Sequence, residues 1–354
     1  MAFKHPDLLV LSWLGATLLP FACAGDTTPS TDGSDTPNTP APLTPPAAVT
    51  PPAAVTPSAP SGGTGTESAL AREVAEASLT ANAMRGGRIY DRFYGENAGL
   101  GFTPDAADTT AADGVGGPAG NGTLPDGQGR VLANQGGHGY RMKNFFGWDL
   151  RGADGIYGRE YHDEPYVVPI NLIDDPLSRL QLATLFTDGT AVTPAWGELL
   201  PARDLADLVS FVMAVRSRAL PQPSDIWQLD ADAPEGYVLR PGANVAAGDA
   251  AIAAQCGNSA CHGADGTARL FDDGEYSLGS FARQNAYEAW FKIVAGSVGS
   301  PMMTQLSSEL TAPARAQFVL DVLAALCDQS AYPLGAASEE DVPGDDPRCG
   351  SYMR

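Results

Sequence analysis

The residues best suited to chemistry lie in one short run, Cys256-Gly257-Asn258-Ser259-Ala260-Cys261-His262-Gly263. Two thiols followed at once by an imidazole are what covalent attachment of a c-type haem requires. The sulfurs add across the two vinyl groups, and the adjacent histidine becomes the proximal iron ligand. Four residues separate the cysteines where two are usual, so the loop between them must bulge to bring both sulfurs to the ring edge. The same residues allow two other readings. The thiols could close a short-loop disulfide, leaving His262 an ordinary histidine, or the three side chains could ligate zinc with a fourth ligand from elsewhere.

Several elements must position this run. A helix over 248–255 is predicted to run directly into Cys256. The turn Gly263-Ala264-Asp265-Gly266 lets backbone pass close to a ring where a Cβ would clash. A middle helix over 286–294 carries Tyr287, Trp290 and Ile293, and the loop behind it offers two thioethers, Met302 and Met303. A last helix from about 312 sets Phe318, Val319, Val322, Leu323 and Leu326 at helical spacing, against the first.

Upstream, helical segments are predicted over 68–94, 177–186 and 201–220, the last with Leu205, Leu208, Phe211, Val212 and Val215 facing a core. The glycine pair Gly86-Gly87 reads as a bend or a close packing contact, and 99–139 as a loop-rich wrap rather than a sheet. His138, between glycines, and His162, in Tyr161-His162-Asp163-Glu164, read as loop residues.

The stretch Gly139-Tyr140-Arg141-Met142-Lys143-Asn144-Phe145-Phe146-Gly147-Trp148-Asp149-Leu150-Arg151-Gly152 carries a resemblance. It is similar to the first domain of exported two-domain c-type cytochromes, whose attachment segment runs arginine, Cys-x-x-Cys-His, Gly-Trp-Asp, an aromatic or Leu, a basic residue and Gly. Met142 and Phe145 stand where the two cysteines would be, and Phe146 where the histidine would be. Thr193, in Gly189 to Gly197, stands where the distal methionine would be. The resemblance therefore implies a first domain that holds no haem, its volume filled by large apolar side chains. In the second domain it implies a Pro-Met-Pro-like loop at Pro301-Met302-Met303, with Met302 as distal ligand and Met303 in the proline's position.

The expected fold is all-α: two cytochrome c-like helical domains in tandem after a disordered Pro/Thr-rich tether. The boundaries are a signal over 1–24, the tether over 25–66, the haem-less domain over 67–220, a connector over 221–241, the haem-binding domain over 242–330 and an acidic tail over 331–354. Lys4, the apolar run from Leu8 to Phe21 and Ala22-Cys23-Ala24 resemble an export signal. Cys23 is then either the lipidated first residue of a mature bacterial lipoprotein or part of a simple secretion signal. The tether carries the near repeat Thr-Pro-Pro-Ala-Ala-Val, and no later stretch is long and apolar enough to predict a membrane span. With Cys23, Cys256 and Cys261 so used, Cys327 and Cys349 remain. They could form a disulfide in an oxidising compartment, or Cys327 could be a buried free thiol and Cys349 an exposed one.

The chain has 354 residues and a formal net charge of −21, which gives no footprint for nucleic acid. The expected function is single-electron transfer in the bacterial periplasm, the chain soluble there or lipid-anchored to the outer membrane. One haem c (heme c) per chain would be fastened by Cys256 and Cys261 and ligated by His262 and Met302, with no catalytic residues. The partner would be a redox protein presenting a basic docking patch. Two alternatives are a haem subunit of an oxidoreductase acting on a small inorganic substrate, and a docking protein of a redox complex.

Overall fold

The computed structural model describes residues 67–92, 123–125, 131–133, 141–156, 167–230, 233, 236–257, 259–297, 302 and 304–354. The expected signal, tether and Cys23, together with His138, His162 and Met303, lie outside them. The described chain is largely helical, as an all-α reading requires.

Helix α1 (Ala69–Ala77) starts at Ser68, whose hydroxyl accepts the Ala71 N–H at 3.0 Å. Helix α2 (Ala83–Asp91) starts at Asn82 in the same way. A pair of three-residue antiparallel strands, β1 (Thr123–Pro125) and β2 (Val131–Ala133), follows. This corrects the expectation of a wrap without sheet over 99–139. Then come the single turn α3 (Lys143–Phe146), α4 (Arg179–Asp188) with a Ser178/Gln181 capping box, and α5 (Ala202–Arg216).

The connector holds a short helix α6 (Pro223–Ile226) and the antiparallel strands β3 (Trp227–Leu229) and β4 (Tyr237–Leu239). Trp227 and Tyr237 are buried against Tyr287, at 4.3 and 4.7 Å between ring centroids, so the connector is core, although Leu229 faces out. Helix α7 (Val245–Ala251) continues into a π-helical turn over Ile252–Cys256, and is followed by α8 (Leu278–Gln284), α9 (Ala286–Ala295) and α10 (Ala312–Leu326).

Two helix crossings organise this order. Helix α2 packs on α5, and α7 packs on α10. A Cβ added at Gly86 would stand 1.9 Å from the Asp207 carbonyl oxygen, and one at Gly248 would stand 2.0 Å from the Asp321 carbonyl oxygen. Each crossing is locked by the same bond: the N–H of the helix-capping asparagine, Asn82 or Asn244, donates to Oδ1 of Asp207 or Asp321, at 2.7 Å in both cases. At the first crossing Arg85 adds a buried bifurcated ion pair, 2.6 Å to each of Asp204 and Asp207, and these carboxylates hold its proton more firmly than usual despite burial.

The segment after α10, expected to be exposed except where a Cys327–Cys349 disulfide holds it, is also anchored at further points while many of its residues stay exposed. Arg283 of α8, wholly buried, donates to the carbonyls of Leu326 and Tyr332 at 2.6 and 3.1 Å and pairs with Asp341 at 2.5 Å. It thereby caps α10 with a cation from another helix. Cys327 and Cys349 form the expected disulfide, and both are buried. Beyond it the Tyr352 hydroxyl accepts the Ala243 N–H at 2.9 Å and donates to the Arg240 carbonyl at 3.1 Å, tying the chain end to the start of α7.

Since neither glycine can take a Cβ without moving backbone, Gly86→Ala and Gly248→Ala should each lower the unfolding free energy by about 2–3 kcal/mol. The two crossings share no partner, so urea denaturation of the double variant should give close to the sum.

Candidate functional site

The π turn delivers Cys256. The Gly257 N–H bonds to the Ile252 carbonyl at 2.7 Å, which widens the last turn of the helix. Such insertions are frequent at functional positions. The two extra residues between the cysteines are taken up in the following turn, and the His262 N–H returns to the Cys256 carbonyl at 3.2 Å. The loop therefore closes as a bulge, as the wide spacing demanded.

A shorter closure, spanning four residues instead of six, stands at the aligned place in the first half of the chain. The Phe146 N–H donates to the Met142 carbonyl, also at 3.2 Å. The glycine after each closure has positive φ, 76° at Gly147 and 78° at Gly263. Three residues on, Leu150 N–H returns to Gly147 O and Gly266 N–H to Gly263 O, at 3.2 and 3.3 Å. The carbonyls of Leu150 and Gly266 then accept from Leu172 and Leu278, at 2.8 and 3.0 Å. Asp149 and Asp265 each accept the N–H two residues ahead, from Arg151 and Thr267. Behind α4 the Thr190 N–H donates to Thr193 O, and behind α9 the Ser297 N–H donates to Met302 O, at 3.0 and 2.9 Å. This last pair puts Met302 in register with Thr193.

The frames match while the side chains do not. Met142, Phe145, Phe146 and Thr193 are 0, 5, 0 and 0 % exposed. Phe146 packs edge-on against Phe186 at 5.9 Å and against Trp196 at 6.1 Å, and Phe145 meets Trp196 at 5.4 Å. An aromatic plug thus fills the first frame. In the second, Cys256, Cys261, His262 and Met302 are all only partly buried, and so are Phe271, Tyr276 and Leu278 beside them. Phe271, which the sequence reading did not assign to the site, stacks on His262 at 5.4 Å and on Phe281 at 5.1 Å.

Burial, helped by the positive charge of Arg269, pushes the His262 pKa down to about 4, so its imidazole is neutral at pH 7 as a metal ligand must be. Its Nδ1 is buried with no hydrogen-bond partner among the described residues. Burial pushes the Cys256 thiol up to about 11, so it is not a ready thiolate nucleophile. Cys256 is free, which removes the short-loop disulfide to Cys261. Cys261 is itself engaged in a disulfide. That bond would have to be reduced before the sulfur could add to a vinyl group. Among the described residues no three His, Cys, Asp or Glu side chains converge on a metal position, so Cys256, Cys261 and His262 are not gathered as zinc ligands. A haem requires no such convergence, since the thiols bond the ring edge and only His262 and Met302 would meet iron. Imidazole and thioether are ligands that such an iron takes, and Cys256 is a free thiol for the ring edge, which Cys261 would match only once reduced.

A second cluster joins the halves. Arg141, Lys143 and Lys292 surround the Trp148 ring at 5.7, 4.9 and 5.3 Å. Asp91, 1 % exposed, pairs with Arg141 at 2.9 Å and with Lys292 at 2.5 Å. These partners hold its carboxyl below the usual range against the opposing effect of burial. Burial and the neighbouring Arg141 push Lys143 down to about 7.

No family model, no curated protein and no solved structure matches this chain. No helix among the described residues is long and apolar enough to cross a membrane.

Asp149 supplies a pH test of the first frame. Burial pushes its pKa up to about 6, although it accepts backbone N–H bonds from Ile156 and Arg151. Between about pH 4 and 6 the folded protein therefore binds more protons than the unfolded chain, and this group's contribution to stability falls as pH rises through that window. Asp149→Asn removes the titration. Wild-type stability measured relative to this variant by urea denaturation should fall by up to about 3 kcal/mol from pH 4 to pH 7 and be flat above it.

Proposed function

We propose that this chain is a c-type cytochrome that carries single electrons, with one haem c held by the second of two tandem copies of a cytochrome c-like fold. The observation that carries the proposal is the pair of matched loops. They share several backbone bonds and a positive-φ glycine, yet only the second has two cysteines, a neutral imidazole and a thioether, and only the second is left partly open. A plugged copy beside an open one is the expected result if a haem site was given up in the first half and kept in the second.

In this reading Cys256 and Cys261 fasten the group covalently, His262 holds its proximal side and Met302 its distal side. Bound haem would supply an Fe(III)/Fe(II) couple, which thioether ligation shifts to higher potential. Phe271, stacked on the His262 ring, fixes the imidazole plane. With His262 and Met302 both given to the iron, substrate would have no ready place at the metal, which favours an electron carrier over an oxidoreductase for small inorganic substrates. The net charge of −21 suits encounter with a basic patch on a redox partner, an attraction that weakens with salt. Export through the amino-terminal segment, with Cys23 as lipid anchor or part of the cleaved signal, would bring the chain to the compartment where haem c is attached and where the Cys327–Cys349 disulfide persists.

The deciding measurement is a pyridine haemochrome spectrum with iron per polypeptide, on protein exported together with haem-attachment machinery. One covalent haem per chain is expected. Two would mean that the first frame is not plugged, and none would end the carrier proposal. Met302→Ala should keep the haem while abolishing the sulfur-to-iron(III) charge-transfer band and lowering the midpoint potential; Met303→Ala should change neither.

A further inference from the structure

Between α2 of the first half and α9 of the second, contacts concentrate at the last turn of α9. Phe291 stacks on Tyr90 at 5.7 Å and meets Trp148 and Phe211 at 4.9 and 5.5 Å. Lys292 reaches Asp91 at 2.5 Å. A Cβ added at Gly87 would stand 2.6 Å from the Ala295 methyl group, so α2 presses directly on the end of α9. That end is where the methionine loop hangs. The Gly296 N–H bonds to the Lys292 carbonyl at 2.9 Å, and the Gln305 N–H bonds to the Ile293 carbonyl at 3.0 Å. Both ends of the segment that carries Met302 are therefore suspended from two consecutive residues, one of which, Lys292, reaches with its partly buried side chain to Asp91 of the first half.

We infer that the first half, without ligands of its own, is the support that holds the Met302 loop in place, and that Lys292 is its positioning residue. The inference rests on the haem reading above for its consequence at iron, but not for its consequence on the loop. Lys292 is faced by Asp91 from α2, by Glu288 one turn earlier on α9 at 3.4 Å, by Trp148, and through Trp148 by Arg141 and Lys143. Asp272, next to Phe271, feels the same charges. Removing the ammonium leaves Asp91 paired with Arg141, so Lys292→Met should fold while releasing the turn that bears the loop.

Two readouts on the full chain test this. Hydrogen exchange at the Ser297 and Gln305 amides should speed up by about tenfold or more in Lys292→Met, as expected when a buried pair is broken. Exchange at Thr190, at the equivalent position of the first half, should stay as in the wild type. On the haem-loaded protein the same variant should keep one covalent haem but lose intensity in the sulfur-to-iron(III) band, and Lys292→Arg should restore it. Ser178→Ala, which removes the α4 cap, should lower stability but leave band and loop exchange alone. Unchanged exchange at Ser297 and Gln305 in folded Lys292→Met would overturn the inference, as would a Lys292→Arg that fails to rescue. Absence of haem from the wild type would instead overturn the functional reading, with the exchange result still deciding the support role.

Discussion

Everything in this chain hangs on two contacts that exclude a β-carbon. At Gly86 and at Gly248 a helix backbone lies on the carbonyl of an aspartate in a helix more than seventy residues further along, and that aspartate's side chain holds the first N–H of the crossing helix. The geometry is over-determined, because the close approach and the carboxylate bond fix both the distance and the rotation of each pair. With both pairs fixed, the loops between their helices are forced through the same turns. This is why glycines at 147 and 263 share a positive φ and why the same sequence of backbone bonds follows them.

Within such a frame the side chains at the closing turn can change wholesale. Met142, Phe145, Phe146, Phe186 and Trp196 form a buried interior in the first half. Cysteine, histidine and methionine occupy the corresponding turns in the other, partly exposed. The fold thus does not depend on what the turn holds. In the proposed reading, four positions decide whether a half is a structural block or a seat for a prosthetic group, and the block would then brace its neighbour through Phe291 and Lys292.

Much of this could be read from the chain. The long helices announced themselves by period, and the wide Cys256–Cys261 spacing suggested a bulged loop, across which the His262 N–H bonds back to the Cys256 carbonyl. Arg141 to Gly152, read against a family pattern, led to the plug. Other features were hidden for physical reasons. Strands of three residues are too short to show an alternating pattern. The carboxyl-terminal segment has the Gly, Pro and acid content of a solvated tail, and a residue that anchors it, Arg283, lies more than forty positions earlier on an unrelated helix. Asn82 and Asn244 offered a signal, an Asn-x-x-x-Gly pattern at each helix start, but its meaning depends on partners, Asp207 and Asp321, that sequence distance conceals.

The distribution of amines has one more consequence. The chain's lysines are Lys4, in the segment read as an export signal, and Lys143 and Lys292, which share the face of Trp148. After removal of that segment, side-chain amine chemistry would be confined to one seam between the two copies. Lys143, with a pKa near 7, is a substantially unprotonated nucleophile at neutral pH, whereas Lys292 is masked by carboxylates. Among the side chains, an acylating reagent would therefore mark this otherwise acidic molecule at one internal junction, and its rate of attack there would report how tightly that junction is closed.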